Sequence, residues 1–151
     1  MTEPRLIVFS SLFPNATQPT AGLFIRERMF CVGKQLPLVV VSPKPWFPGQ
    51  GLIRLFRQHY RPLPARTETQ AGVEVIFPRF LAIPSMLRGL DSLFMALASY
   101  LTLHRLKARG FNLIDAHFAY PDGHAAQRLG RWLGMPVTVT LRGTEAGRRL
   151  G

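Results

Sequence analysis

Two short apolar, β-prone runs in this chain end abruptly in residues equipped for chemistry. Leu113-Ile-Asp-Ala-His117 leads into Phe-Ala-Tyr-Pro-Asp-Gly123, and Pro136-Val-Thr-Val-Thr-Leu141 leads into Arg-Gly-Thr-Glu145. A strand-end histidine such as His117 can exchange a proton or hydrogen bond near neutral pH, which suits orienting a substrate hydroxyl; it serves equally as a satisfied structural residue. Arg142, Gly143 and Glu145 set a guanidinium, a flexible backbone and a carboxylate at the mouth of the following strand. A sugar hydroxyl, a phosphate or solvent would satisfy them. Asp115 shares a strand face with His117, since side chains two residues apart point the same way, and Asp122 and His124 follow. Metal binding is not expected: the spacing fits no zinc or two-metal pattern, and Asp122 reads as a helix cap. A third candidate is the loop from Ser10 to Gly22, where a glycine at a helix entrance lets backbone approach a phosphate and leaves N–H groups free to meet it. A turn glycine would look the same. No G-x-G-x-x-G fingerprint is present, so a dinucleotide site is not supported. No Ser/His/Asp arrangement can be assembled, and Cys31 lies in a helical pattern among apolar neighbours, where burial is expected; nucleophilic catalysis is not indicated.

These residues need elements to hold them. Residues 5 to 10 form a continuous apolar run, the pattern of a strand buried on both faces. After the polar loop, Ile25, Met29, Val32 and Leu36 recur at helical spacing, with Arg26, Glu27 and Arg28 on the solvated side. Pro37 to Ser42 and Val73 to Phe77 read as the second and third strands. A helix is expected over residues 87 to 109, with Leu90, Leu93, Phe94, Leu97 and Leu101 as its core stripe and Arg105, Lys107 and Arg109 complementing its C-terminal dipole. Leu113 to His117 is the fourth strand. The next helix begins near Asp122 as N-cap and ends at Gly134, and Pro136 to Leu141 is the fifth strand. The order β-α-β-β-α-β-α-β predicts one α/β domain with a mainly parallel sheet and helices on both faces.

Between the second and third strands, residues 43 to 71 form a long insert rich in Pro and Arg. Within it Leu52, Ile53, Leu55 and Phe56 alternate with Arg54, Arg57 and Arg61, a short basic amphipathic segment. It is read as an excursion packed on the domain edge, the alternative being a surface that leans on an anionic membrane or contacts an acceptor.

Composition bounds the rest. At 151 residues and 47% apolar content the chain suits one folded domain. Its formal charge of +11 suits phosphate-bearing partners without choosing among them. With Cys31 the single cysteine, no intrachain disulfide can form, and a cytoplasmic location is expected. The uncharged stretch from Ser92 to Leu103 is shorter than the ~20 residues a membrane span requires.

Taken in order, Phe9-Ser-Ser-Leu-Phe-Pro14 with Pro19-Thr-Ala-Gly-Leu-Phe-Ile-Arg-Glu-Arg28, then Val41-Ser-Pro-Lys-Pro-Trp46, then Ile114-Asp-Ala-His-Phe-Ala-Tyr-Pro-Asp-Gly123, then Val139-Thr-Leu-Arg-Gly-Thr144 resemble the N-terminal domain of family 4 glycosyltransferases. The resemblance runs over essentially the whole chain. It implies one Rossmann-like, three-layer half of a GT-B architecture, with residues 1 to 151 as the acceptor-side domain. It further implies retaining transfer of a hexosyl-type unit from a nucleotide sugar to a glycan or lipid-linked acceptor, as in polysaccharide biosynthesis, with no metal or other cofactor. By motif position Gly22 would approach the donor diphosphate, His117 would lie near acceptor and transferred sugar, and Arg142 with Gly143 would line the cleft. Glu145 stands where the family more often has Asp, and the donor-binding C-terminal domain with its paired glutamates is missing, so the chain is expected to be truncated and inactive alone. The location expected is cytoplasmic, with peripheral membrane contact. The competing class is a non-catalytic basic α/β module for anionic membrane or nucleic acid. No helix-turn-helix, zinc finger or RNP-type motif supports the nucleic-acid version.

Overall fold

The structure, a computed structural model, describes residues 3–17, 19–46, 65–81 and 90–141. Its centre is made by apolar runs with no polar alternation. β1 (Leu6–Phe9), β2 (Leu38–Val41) and β7 (Leu113–His117) lie side by side and parallel, with Phe9 opposite Val41 on one side and Ala116 on the other. Such strands can only be satisfied by cover on both faces. β5 (Val73–Ile76) pairs parallel with β2, and β8 (Val137–Thr140) pairs parallel with β7. Among the described residues the main sheet has six strands in the order β4-β5-β2-β1-β7-β8, in which β4 (Thr67–Gln70) is antiparallel to β5. Ala71 and Gly72, at φ 50° and 81°, make the tight turn between them, both in the left-handed conformation that matches hairpin twist.

Helix α1 (Leu23–Gly33) covers one face, setting Ile25 and Met29 against Leu6, Val8, Val40 and Val75. Helices α2 (Asp91–Ala108) and α3 (His124–Leu133) cover the other, where Met95, Leu103 and Leu129 meet Ile7, Phe9, Val39 and Ile114. The result is the expected Rossmann-like three-layer α/β arrangement with a mainly parallel sheet.

Several expectations are corrected. Three short strands were not foreseen. β4 and β3 (Lys44–Trp46) fall within the insert, and β3 pairs parallel with β6 (Arg79–Leu81) in a separate two-stranded sheet. None has the apolar run that marks the central strands. The insert's Leu52, Ile53, Arg54, Leu55, Phe56, Arg57 and Arg61 lie outside the described residues. On α2 the buried stripe is Ser92, Met95, Ala96, Ser99, Leu103 and Leu106, while Leu97 and Leu101 are 55% and 62% exposed. Small residues allow close packing, so Ala96 and Ser99 turn inward, in a core that holds α3's Ala125 and Ala126, and the leucines turn out. Cys31 is exposed rather than buried, because Ile25 and Met29 fix which face of α1 meets the sheet.

Candidate functional site

Consecutive connections leave β1 and β7 toward opposite faces of the sheet, β1 into α1 and β7 into α3. Where neighbouring parallel strands part in this way, their carboxyl ends frame a crevice. The sequence puts Ser10, Ser11 and the loop to Gly22 at the end of β1, and His117 at the end of β7.

Gly22 caps α1 at φ 69°, and a Cβ there would lie 2.6 Å from the backbone oxygen of Leu12. Only glycine combines that conformation with that approach. Its carbonyl accepts from the N–H groups of Ile25 and Arg26, which closes the first turn. The helix entrance is thereby pressed onto the loop that leaves β1, and Ser10 braces the same loop by donating from Oγ to the Leu12 carbonyl at 3.1 Å.

Beyond this bend the loop is fastened across the crevice. Asp122 is fully buried, and one of its carboxylate oxygens accepts from the Ser11 backbone N–H at 2.9 Å and from Ser11 Oγ at 3.1 Å. This corrects the expected N-cap role: α3 starts at His124 with no side-chain cap, and the carboxylate serves the β1 loop instead. Charge-assisted hydrogen bonds to a buried carboxylate are among the stronger ones available. A third element joins through Lys44 of β3, whose Nζ donates to the Ser11 carbonyl at 2.8 Å. Burial lowers the Lys44 ammonium from 10.5 to about 8, against the opposing pull of Asp122 and Glu68. Ser11 is thus held from both backbone ends and from its side chain.

His117 is buried on the α1 side of the sheet, and its Nε2 lies 3.4 Å from Asp115 Oδ2, an ion pair whenever the imidazole is protonated. The other carboxylate oxygen of Asp115 accepts from Thr138 Oγ1 at 3.0 Å, and Thr138 stands opposite Asp115 in the β7–β8 register. Burial raises the Asp115 pKa, but the hydrogen bond and charge of His117, with Thr138 and Arg28, outweigh it and hold the carboxyl below its usual 3.8. Thr138, Asp115 and His117 therefore form a chain in which each member orients the next, the arrangement by which a carboxylate fixes an imidazole for hydrogen bonding or proton transfer. Immediately after it, Phe118 stands at φ 77° and ψ 143°, a conformation that a residue with a side chain holds only under tertiary constraint. Phe118 N donates to the Thr140 carbonyl, and its own carbonyl accepts from Gly123 N, which ties down both sides of this bend.

Two of the four candidate residues, Gly22 and His117, are thus anchored by one fabric of contacts at the carboxyl ends of the strands. Arg142 and Gly143, with Glu145, lie outside the described residues. Among the described residues no group of three or more His, Cys, Asp or Glu could hold a metal ion. Lys44 and Ser11 were missed as site residues. A lysine between two prolines carries no sign of burial, and Ser11's role depends on Asp122, 111 residues away.

Comparison with known proteins gives this crevice a context. The chain is similar to a bacterial protein named as a putative glycosyltransferase. It is 25% identical over 144 residues to "Putative teichuronic acid biosynthesis glycosyltransferase TuaC" of Bacillus subtilis (strain 168), an alignment that takes in 93% of this chain. The chain spans 36% of that relative's length. No protein-family model matches the chain.

Proposed function

We propose that this chain is the acceptor-side part of a nucleotide-sugar-dependent glycosyltransferase of family 4 type, with the donor-binding half of a GT-B architecture supplied outside these 151 residues. The observation that carries the reading is the tied crevice at the ends of β1 and β7, in a chain whose relative over 93% of its length is described as a glycosyltransferase. In this reading Gly22 brings the α1 entrance close to the donor diphosphate, whose charge the helix terminus favours. His117, oriented by Asp115, engages the acceptor hydroxyl, and Arg142 with Gly143 lines the cleft. The hexosyl unit passes from a nucleotide sugar to a glycan or lipid-linked acceptor with retention, in the manner of polysaccharide assembly. The chain's part is positioning and charge stabilisation, with no metal and no covalent nucleophile.

The test is incubation of the 151-residue chain with labelled nucleotide sugars and a bacterial lipid extract, alongside saturation-transfer NMR with glycan acceptors. Acceptor contact without turnover is expected, with the contact weakened by His117→Ala. Robust turnover by this chain alone would overturn the division of labour between two halves. Tight, salt-dependent nucleic-acid binding with no glycan contact would overturn the class.

A further inference from the structure

Helix α2 shows solvent an apolar stripe that no described element covers. Leu90, Leu97 and Leu101 are spaced by seven and four residues, which puts them on one side of the helix, and they are 40%, 55% and 62% exposed. The stripe continues onto α3, because Tyr100 meets Trp132 edge-on at 6.2 Å and Trp132 is itself 44% exposed. Scattered exposed leucines need no explanation, but a stripe joined to a tryptophan across two helices marks a contact surface.

The charges beside it choose the partner. Arg105 lies one turn beyond Leu101, and Arg128 lies one turn before Trp132 on α3, where Arg131 is also exposed. Lys107 is exposed and its Nζ donates to the Leu133 carbonyl at the end of α3. Asp91, at the far end of α2, is the one acid on the two helices. A second copy of this chain would bring arginine against arginine on a protein of formal charge +11. An anionic bilayer meets every part of the patch: leucines enter the acyl boundary, tryptophan and tyrosine sit at headgroup level, and arginines pair with lipid phosphates. We propose that the outer face of α2 and α3 is a docking surface for anionic lipid. Helix α2 packs against the turn that follows His117, so a bilayer seated on its outer face would lie near the candidate crevice. This surface is distinct from residues 43 to 71.

The experiment is flotation of the full chain with vesicles of phosphatidylcholine alone or mixed with phosphatidylglycerol, with no sugar or nucleotide present, so its failure leaves the transferase reading standing. Binding to the mixed vesicles is expected. Leu97→Ser with Leu101→Ser should weaken it about tenfold or more, and Arg105→Gln and Arg128→Gln about fivefold each. In a Trp46→Phe background the emission of Trp132 should shift to the blue on binding. All these side chains are exposed, so circular dichroism and melting temperature should stay close to wild type. Absence of vesicle binding would overturn the proposal, as would binding that ignores these substitutions and is lost with Arg54→Gln and Arg57→Gln. Self-association abolished by the leucine substitutions, without vesicle binding, would assign the face to a protein partner and overturn it equally.

Discussion

Replacing Asp122 by alanine tests whether the crevice is held by the Ser11 fastening. The carboxylate is buried and receives two hydrogen bonds from Ser11, at 2.9 and 3.1 Å. Bonds to a charged acceptor contribute about 1.5–3 kcal/mol each, and the substitution also removes a negative charge that favours the buried Lys44 ammonium. Allowing for non-additivity, the loss is about 3–5 kcal/mol, in the range found when one partner of a buried charged set is deleted. For a domain of this size that lowers the melting temperature by about 6–20 °C. Asp122→Asn, which keeps the shape and an acceptor oxygen, should lose about half as much. The assay is thermal and urea unfolding at neutral pH of wild type, Ser11→Ala, Asp122→Ala and the double variant. The cycle isolates the hydroxyl–carboxylate bond, for which a coupling of about 1–2 kcal/mol is expected. A melting temperature within about 2 °C of wild type for Asp122→Ala, or zero coupling in the cycle, would refute the fastening and leave the loop positioned by Gly22 alone.

Three further outcomes follow from the same geometry. Gly22→Ala should destabilise by about 2–4 kcal/mol in urea unfolding, while Gly72→Ala, at φ 81° with nothing within 4 Å of a new Cβ, should lose only about 1–2 kcal/mol; equal losses would remove the argument from close approach. Lys44 binds its proton less tightly when folded, at about 8 against 10.5, so the unfolded chain carries more protons between those values and this residue's contribution to stability rises with pH across that window, by roughly 3 kcal/mol. The Lys44→Met variant should lack that rise in a pH series of unfolding curves. Asp115 has the opposite sign: its pKa is lowered on folding, so its stabilisation is complete above 3.8 and is lost as pH falls through the folded value. Asp115→Asn should therefore flatten the acid limb of the melting profile.

The central strands could be read from the sequence because burial on both faces leaves nothing but apolar residues, as in Leu6-Ile-Val-Phe9 and Leu38-Val-Val-Val41. The same logic fails for Thr67-Glu-Thr-Gln70, the outermost described strand on its side of the sheet, where polar residues alternate and a hairpin to β5 supplies the pairing. Helix α2 was legible in extent and not in orientation. Both of its faces are apolar, and the choice falls to Ala96 and Ser99, whose small size matters only once α3 is packed beside them. At the crevice, a two-residue spacing was enough to put Asp115 beside His117. The Ser11–Asp122–Lys44 contacts were hidden, since they join residues as far as 111 positions apart and each type is commonplace on a surface.

Thr138 lends its hydroxyl to Asp115 from β8, the outermost described strand on that side of the sheet. Outer strands exchange their amide protons through local opening at a free energy below that of global unfolding. Each such opening withdraws Thr138 from Asp115 while β1, β2 and β7 remain intact. The contact between Asp115 and His117 therefore follows the integrity of the outermost described strand, and warming should loosen it before it melts the domain.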